Sequence, residues 1–341
     1  MSRFEVYWEI IPLKLKEVFT ISRGSKSEVR NVFLSITKNG ITGFGEAGPN
    51  TRYDETAEKV VEYFESLPDN FFDLIEGADE IQNKLDQINS KSVQSAKTAI
   101  EMAWLDWWGK SHNQPLWKLW DAKSPAGPVT SYTIGLDTPE KMQEKIRNAE
   151  QYPVYKIKLG TDRDREIIEA IREVTDKPLR IDANEGWTTL DQAKREIEFL
   201  STQNIELIEQ PMPSSEFYTM TKLKKWSPLP LAADESFLGE EDLREISEGF
   251  HVINVKLMKI GSLVKARNVI ESAHDLGLKV MIGCMIESSL ANSAGVLLAL
   301  KADYVDLDGH LLIGNDPFHG LHLDASGHVI LSDRSGLGVH K

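Results

Sequence analysis

From about residue 129 onward, short apolar runs alternate with amphipathic stretches of ten to fifteen residues, and this alternation constrains the fold more than any other feature of the chain. The runs are VTSYTIG, VYKIKLG, LRIDANE, IELIEQP, LPLAADE, HVINVKL, KVMIGCM and YVDLD. Between them stand TPEKMQEKIRNAE, DRDREIIEAIREV, LDQAKREIEFL, SEFYTMTKLKKW, GEEDLREISEG, SLVKARNVIESAHDLG and SSLANSAGVLLALK. Eight strands alternating with seven helices predict a parallel α/β barrel of the modified (β/α)7β kind, because each parallel strand needs a crossover helix. No helix is expected after the last strand.

The first third has another texture. RFEVYWEIIPL and VRNVFLSITKNGITGFGEA read as strands, with Asn39-Gly40 as a hairpin turn. FTISRGSKS between them is polar and reads as a mobile loop. TAEKVVEYFESL and the tryptophan-rich SVQSAKTAIEMAWLDWWGK read as helices, the second packed in a core. The expected organisation is an N-terminal α+β capping domain (1–122), a barrel (123–315) and a tail (316–341) returning to the capping domain, a division that suits 341 residues. A net charge of −14 argues against a nucleic-acid surface or an anionic membrane as partner. A single cysteine, Cys284, leaves no disulfide framework and no cysteine zinc site. The charged start MSRFEVYWEI lacks the core of a signal peptide, and no apolar run is long enough to span a membrane, so a cytoplasmic protein is expected.

Each barrel strand ends in polar residues, and the strand ends form the active face of such barrels. Lys156 and Lys158 end the second strand, Asp182 and Asn184 the third, Glu209 the fourth, Asp234 and Glu235 the fifth. Lys256 lies on the sixth, and Asp306 and Asp308 on the eighth. Successive steps from Lys158 through Asp182, Glu209 and Asp234 to Lys256 are 24, 27, 25 and 22 residues, one ionisable group per β/α unit. A single charge at a strand end meets solvent and means little; five in succession converge. Three carboxylates aimed at one centre repel unless a cation holds them, and oxygen ligands suit a hard ion such as Mg²⁺. The second and sixth strands face each other across the mouth. A carbon acid between them would meet a lysine on each face, one removing a proton and the other returning one. An isolated lysine pair is ordinarily a solvated face, but VYKIKLG is otherwise apolar. Such a base has to be neutral near pH 7, so its pKa is expected to fall beside a second cation and the metal.

These residues resemble the enolase superfamily, muconate-lactonizing subgroup. K-x-K at Lys156 and Lys158, D-A-N at Asp182, E-Q-P at Glu209, D-E-S at Asp234 and N-V-K-L-M-K from Asn254 to Lys259 carry the resemblance, which spans nearly the whole chain. That superfamily is known for a lysine or histidine base beside bound Mg²⁺, so the general chemistry is the family's. The resemblance implies Lys158 and Lys256 as the acid/base pair and Asp182, Glu209 and Asp234 as Mg²⁺ ligands. Lys256 is preferred over Lys259 because strand alternation would put the two on opposite faces. Lys156 would sit nearer the substrate carboxylate. D-x-D at Asp306 and Asp308 resembles the dipeptide epimerases, whose aspartates hold the substrate's α-ammonium. GCMIESS is similar to their seventh strand, which implies Cys284, Met285 and Ile286 along the dipeptide backbone, with Thr133 as a further contact. RGS resembles the loop of Ala-Glu epimerases, which implies Arg23 against a substrate carboxylate; Ala-Glu and alanine-hydrophobic dipeptides both stay open.

The implied activity is Mg²⁺-dependent epimerisation of the C-terminal residue of L-Ala-Xaa dipeptides, with peptidoglycan peptide recycling as the family's setting and self-association into a homo-oligomer as its habit. o-Succinylbenzoate synthase and muconate cycloisomerase are the nearest alternatives, but their substrates carry no ammonium for Asp306 and Asp308. A mandelate-racemase-like dehydratase wants a histidine near the seventh strand, and KVMIGCM has none; His274 falls on the preceding helix. A barrel that only binds peptide or metal is the alternative of another class, disfavoured because all five catalytic positions are filled.

Overall fold

The computed structural model describes residues 3–88, 93–120, 122 and 124–341. The start of MSRFEVYWEI, Ser92 at the head of the tryptophan-rich run and Lys123 at the expected domain boundary lie outside the described residues.

Strands β1 (Glu5–Ile21), β2 (Gly24–Lys38) and β3 (Ile41–Ala47) form an antiparallel sheet in that order. Asn39 and Gly40 join β2 to β3 with φ of 55° and 77°, the left-handed pair that a two-residue hairpin needs. FTISRGSKS does not form the expected open loop. β1 and β2 stay paired through it, Phe19 to Lys26, Thr20 to Ser25 and Ile21 to Gly24, so Ser22 and Arg23 are the tip of a long hairpin. Cross-strand pairing, continued past an irregularity between Lys14 and Phe19, overrides the polar composition. The helix Gln94–Ser111 lies directly on β3. Glycine at 43 and 45 permits this, since a Cβ at either would fall within 2.1 Å of the helix's carbonyl oxygens.

A short strand, β4 (Ala126–Val129), leads into the barrel. Its strands are β5 (Tyr132–Ile134), β6 (Tyr155–Lys158), β7 (Leu179–Asp182), β8 (Ile205–Glu209), β9 (Leu231–Ala233), β10 (Val252–Lys256), β11 (Lys279–Gly283) and β12 (Tyr304–Asp306). All pair in parallel in sequence order, and a parallel bridge from Thr130 to Val305 joins the ends. The seven helices fall where the periodicity puts them, from Pro139–Asn148 to Ser289–Ala299, with His274 on Leu263–Asp275. Thr138, Thr189, Ser262 and Ser288 cap four of them through their side-chain oxygens. After β12 there is one helical turn, Gly309–Leu312.

The outward residues of the strands, such as Ile157, Ile181, Ile208 and Val255, are fully buried under the helices. The inward residues are layered. Leu207, Ala232, Val252 and Met281 fill the lower interior, so the charged residues above them are lifted towards the strand ends. The tail forms a small sheet and touches the N-terminal domain on either side of it. β13 (His322–Leu323) and β14 (His328–Ile330) pair with β4 in a separate antiparallel sheet. After it, the Leu337 amide donates to Asp106 of the N-terminal domain at 2.8 Å. Earlier in the tail, Phe318 stacks on Phe33 at 5.8 Å.

Candidate active site

Alternation along β6 turns Lys156 and Lys158 inward and Ile157 outward, as the pattern requires. Register then aligns the ligand candidates: Lys158 pairs with Asp182, and Asp182 with Glu209. Lys156 Nζ lies 2.6 Å from Glu209 Oε2, 2.7 Å from Asp306 Oδ2 and 3.1 Å from Asp182 Oδ2. Lys158 Nζ donates to Asp182 Oδ2 at 2.6 Å, and Lys256 Nζ to Asp234 Oδ2 at 2.7 Å.

Lys259 departs from expectation. It also reaches Asp234, donating to Oδ1 at 2.8 Å, and donates to the Phe237 carbonyl at 3.0 Å. The strand ends at Lys256 and the chain turns at once into a helical turn, Leu257–Ile260. A spacing of three then brings Lys256 and Lys259 to one face rather than two. Asp182, Glu209, Asp234 and Asp306 thus meet four ammoniums, with Glu235 and Asp308 beside them, all buried. A buried ion cluster of this kind is weak evidence for stability and stronger evidence for function.

Protonation follows from these contacts. Burial pushes Asp182 up, but Lys158 and Lys156 outweigh it and hold Asp182 below the usual carboxylate range. Asp234 is likewise opposed by burial and held well below it by Lys256 and Lys259. Burial and the neighbouring Asp182 push Glu209 up to about 7. Burial and Asp306 push Asp308 up to about 6. Burial works against charge on Lys256, yet Asp234 and Glu209 hold it well above the usual lysine range. Carboxylates thus surround Lys256 more closely than cations do.

A cavity of about 480 Å³ opens over this cluster. Of the residues picked out in the sequence, Arg23, Thr133, Lys156, Lys158, Asp234, Lys256, Cys284, Met285, Ile286, Asp306 and Asp308 line it, while Asp182 and Glu209 lie behind the lysines. Thr133 faces Asp308 through its amide, which donates to Oδ2 at 2.6 Å. Arg23 lines the cavity, but its guanidinium is engaged by protein: Nη2 donates to Glu235 at 2.6 Å, and Nη1 to Glu185 at 3.0 Å and the Asn184 carbonyl at 2.8 Å.

Several contributors were not singled out from the sequence. Ser131 Oγ donates to Asp306 at 2.7 Å. Asn254 Nδ2 donates to Glu209 at 2.8 Å, and Gln210 Oε1 accepts the Asp234 amide at 3.0 Å. N-V-K and E-Q-P carried the signal for Asn254 and Gln210. Asn184 and Glu185 stand at φ of 45° and 66°, two successive non-glycine residues in the left-handed region. Such backbone costs on the order of 1–3 kcal/mol per residue and is held only where its surroundings fix it. Here the Glu185 amide donates to the Gln210 carbonyl at 2.8 Å.

Asp182, Glu209 and Asp234 offer hard oxygen donors of the kind Mg²⁺ prefers. Nearby, Asn184 Oδ1, Glu235 Oε2 and Asn254 Oδ1 are buried acceptors with no hydrogen-bond partner. Glu209 Oε2 has its ion pair with Lys156 but no well-angled hydrogen bond. Buried acceptors left open call for a cation or water, so the donor chemistry fits. The arrangement itself is that of a site neutralised by lysine: among the described residues no three His, Cys, Asp or Glu side chains are gathered as a ligand set. Nor is any described helix long and apolar enough to cross a membrane.

Comparison with known proteins finds relatives over nearly the whole chain. Residues 140–340 match the family described as enolase C-terminal domain-like, and residues 4–120 the mandelate racemase/muconate lactonizing enzyme N-terminal domain. The chain is 38% identical over 331 residues to an L-Ala-D/L-Glu epimerase of Bacteroides thetaiotaomicron, covering 96% of this chain and 86% of that one. It is 36% identical over 327 residues to an L-Ala-D/L-amino acid epimerase of Flavobacterium johnsoniae, covering 96% of each. A dipeptide epimerase from Enterococcus faecalis V583, crystallised with Mg and L-Leu-L-Tyr, is similar in structure with a TM-score of 0.90 at 29% identity, over 100% of both chains.

Proposed function

We propose that this chain, which belongs to the enolase superfamily in its mandelate racemase and muconate lactonizing branch, is a Mg²⁺-dependent epimerase of L-Ala-Xaa dipeptides. It is an isomerase of the racemase and epimerase kind, as its relatives are named. The observation that carries the finer reading is the pairing of inward lysines on β6 and β10 with two buried aspartates at the end of β12.

Asp182, Glu209 and Asp234 would hold Mg²⁺, with Asn254 orienting Glu209 and Gln210 bracing Asp234. When bound, Mg²⁺ would offset negative charge developing on the substrate carboxylate. Asp306 and Asp308, across the mouth, would receive the α-ammonium of the first residue. This orientation leaves the α-carbon of the second residue between Lys158 and Lys256. Lys158 Nζ takes the α-proton on one face, the carbanion delocalises into its carboxylate as an enediolate, and Lys256 Nζ delivers a proton to the other face. The reverse reaction exchanges the two roles. Cys284, Met285 and Ile286 wall the dipeptide against water. Lys156, already among Asp182, Glu209 and Asp306, counters charge rather than moving protons.

The test is incubation of a dipeptide library with the protein and Mg²⁺ in D₂O, read by mass spectrometry. Gain of one deuterium by L-Ala-Xaa members is expected. If no dipeptide gains deuterium, the reading fails.

A further inference from the structure

We propose that Arg23 is a latch rather than a substrate contact: bridging Glu185 and Glu235, it pins the tip of the β1–β2 hairpin over the mouth. The inference rests on protein–protein geometry and goes beyond the proposed activity. Only its kinetic consequence depends on that activity.

The tip has two fixed points. At the stem, the Leu136 amide after β5 donates to the Thr20 carbonyl at 2.9 Å. At the end, Ser22 Oγ and Arg23 Nη1 both donate to the Asn184 carbonyl, at 3.1 and 2.8 Å. Arg23 then forks between two carboxylates that are not equivalent. Glu235 has a side chain only 2% exposed, Oε2 beside the bonded oxygen has no hydrogen-bond partner among the described residues, and Arg23 is the cation among them that pairs with it directly. Glu185 is a hub: Arg52 Nη2 stands 2.8 Å from it and the Ser214 amide donates to it at 2.8 Å. The hub sits on the left-handed corner that follows Asp182. The hairpin tip is thus tied to the corner of β7, to the residue after Asp234, and through Arg52 to the capping domain.

A guanidinium forked in this way has few donors left for a ligand. The latched hairpin presents Phe19, Ile21 and Val29 to the cavity, with Arg23, Ser25 and Lys26 beside them. Opening the latch would lift that wall and admit or release the dipeptide, whatever its second side chain.

Hydrogen exchange of the full-length protein without dipeptide tests this, read on peptides covering residues 19–26. Glu185→Gln should lower protection by about tenfold, the effect of losing one charge-assisted contact, and Arg23→Gln, which also loses Glu235, by at least as much. The double variant should lose no more than Arg23→Gln alone, and Arg23→Lys should recover part of the protection. Unchanged protection in both single variants, or losses that add in the double variant, would overturn the latch. Turnover supplies a second arm. Glu185→Gln should raise KM for L-Ala-L-Glu and L-Ala-L-Leu alike. If Arg23→Gln raises KM for the acidic dipeptide alone and Glu185→Gln moves neither, Arg23 is a substrate contact and the latch is wrong. Absence of any turnover would fail the epimerase reading while leaving the exchange result to decide the latch.

Discussion

A base that removes a proton from carbon has to reach its substrate uncharged, and Lys256 is held protonated by Asp234 and Glu209. Those carboxylates are among the groups proposed to share their charge with Mg²⁺, so the lysine's proton and the metal compete for the same oxygens. The roles of single residues can be separated on this basis. Lys158→Ala and Lys256→Ala should each lower epimerisation by about 10²- to 10⁴-fold, the usual contribution of a positioned acid or base. Each should also leave α-deuterium exchange intact for one epimer alone, since one lysine still faces one side. Retention of full epimerisation by either variant excludes the two-base scheme. Asp308→Asn addresses the ammonium instead. Asp308 is bound by the Thr133 amide and, among the described residues, by no lysine within ion-pair distance, unlike Asp306. Its loss should raise the dipeptide KM by about tenfold or more, with calorimetric Mg²⁺ affinity nearly unchanged. Loss of Mg²⁺ binding would mean that β12 belongs to the metal site.

At the scale of elements, β10 and β11 face each other through a contact that leaves no room. A Cβ on Gly283 would fall 2.4 Å from Asn254 Oδ1 and 2.9 Å from Nδ2. Asn254 is the residue that holds Glu209. Gly283→Ala should therefore displace the carboxamide, lowering stability by about 1–3 kcal/mol as overpacking does and weakening Mg²⁺ binding in parallel. Thermal unfolding with and without Mg²⁺ reads both. A variant with lowered melting temperature but the full Mg²⁺-induced shift would show Asn254 to be dispensable to Glu209. Elements also mark where sequence was readable. The barrel was legible because period-two runs and helical stretches alternate without interruption, and strand ends carry their charges wherever the strand persists. Lys259 was misjudged because the switch from strand to helical turn after Lys256 leaves no mark in NVKLMKIG before Gly261, whose φ of 82° ends the turn. The hairpin tip was misjudged because RGSKS looks like a loop in isolation. Its order comes from Asn184, Glu185 and Glu235, which lie more than 160 residues away in sequence.

At the scale of the molecule, the capping domain is joined to the barrel by carboxylates placed at helix N-termini. Glu46 on β3 accepts from the Ser288 amide at 3.0 Å and the Ala291 amide at 3.2 Å, at the start of Ser289–Ala299. Glu101 accepts from Ser262 Oγ at 2.9 Å and from the Leu263 amide, at the start of Leu263–Asp275. Orphan amides and the helix dipole favour a carboxylate there, yet Glu101 is fully buried, and burial pushes it up to about 7 against those donors. The sign of its effect follows. Below an ordinary glutamate pKa of 4.5, folded and unfolded chains both carry the proton. Between there and about 7 only the folded chain keeps it, so stability contributed by Glu101 falls as pH rises through that window and levels off above it. The full loss is about 3 kcal/mol. Glu101→Gln cannot titrate and loses an acceptor for the Leu263 amide, so it should be less stable at pH 5. Its deficit relative to the parent chain should then shrink up to about pH 7 and hold level above that, as measured by urea unfolding at a series of pH values. Other buried carboxylates titrate equally in both proteins and cancel in the difference. A deficit that stays constant or grows with pH would mean that Glu101 is ionised at the domain junction, held there by the helix N-terminus more strongly than burial opposes it.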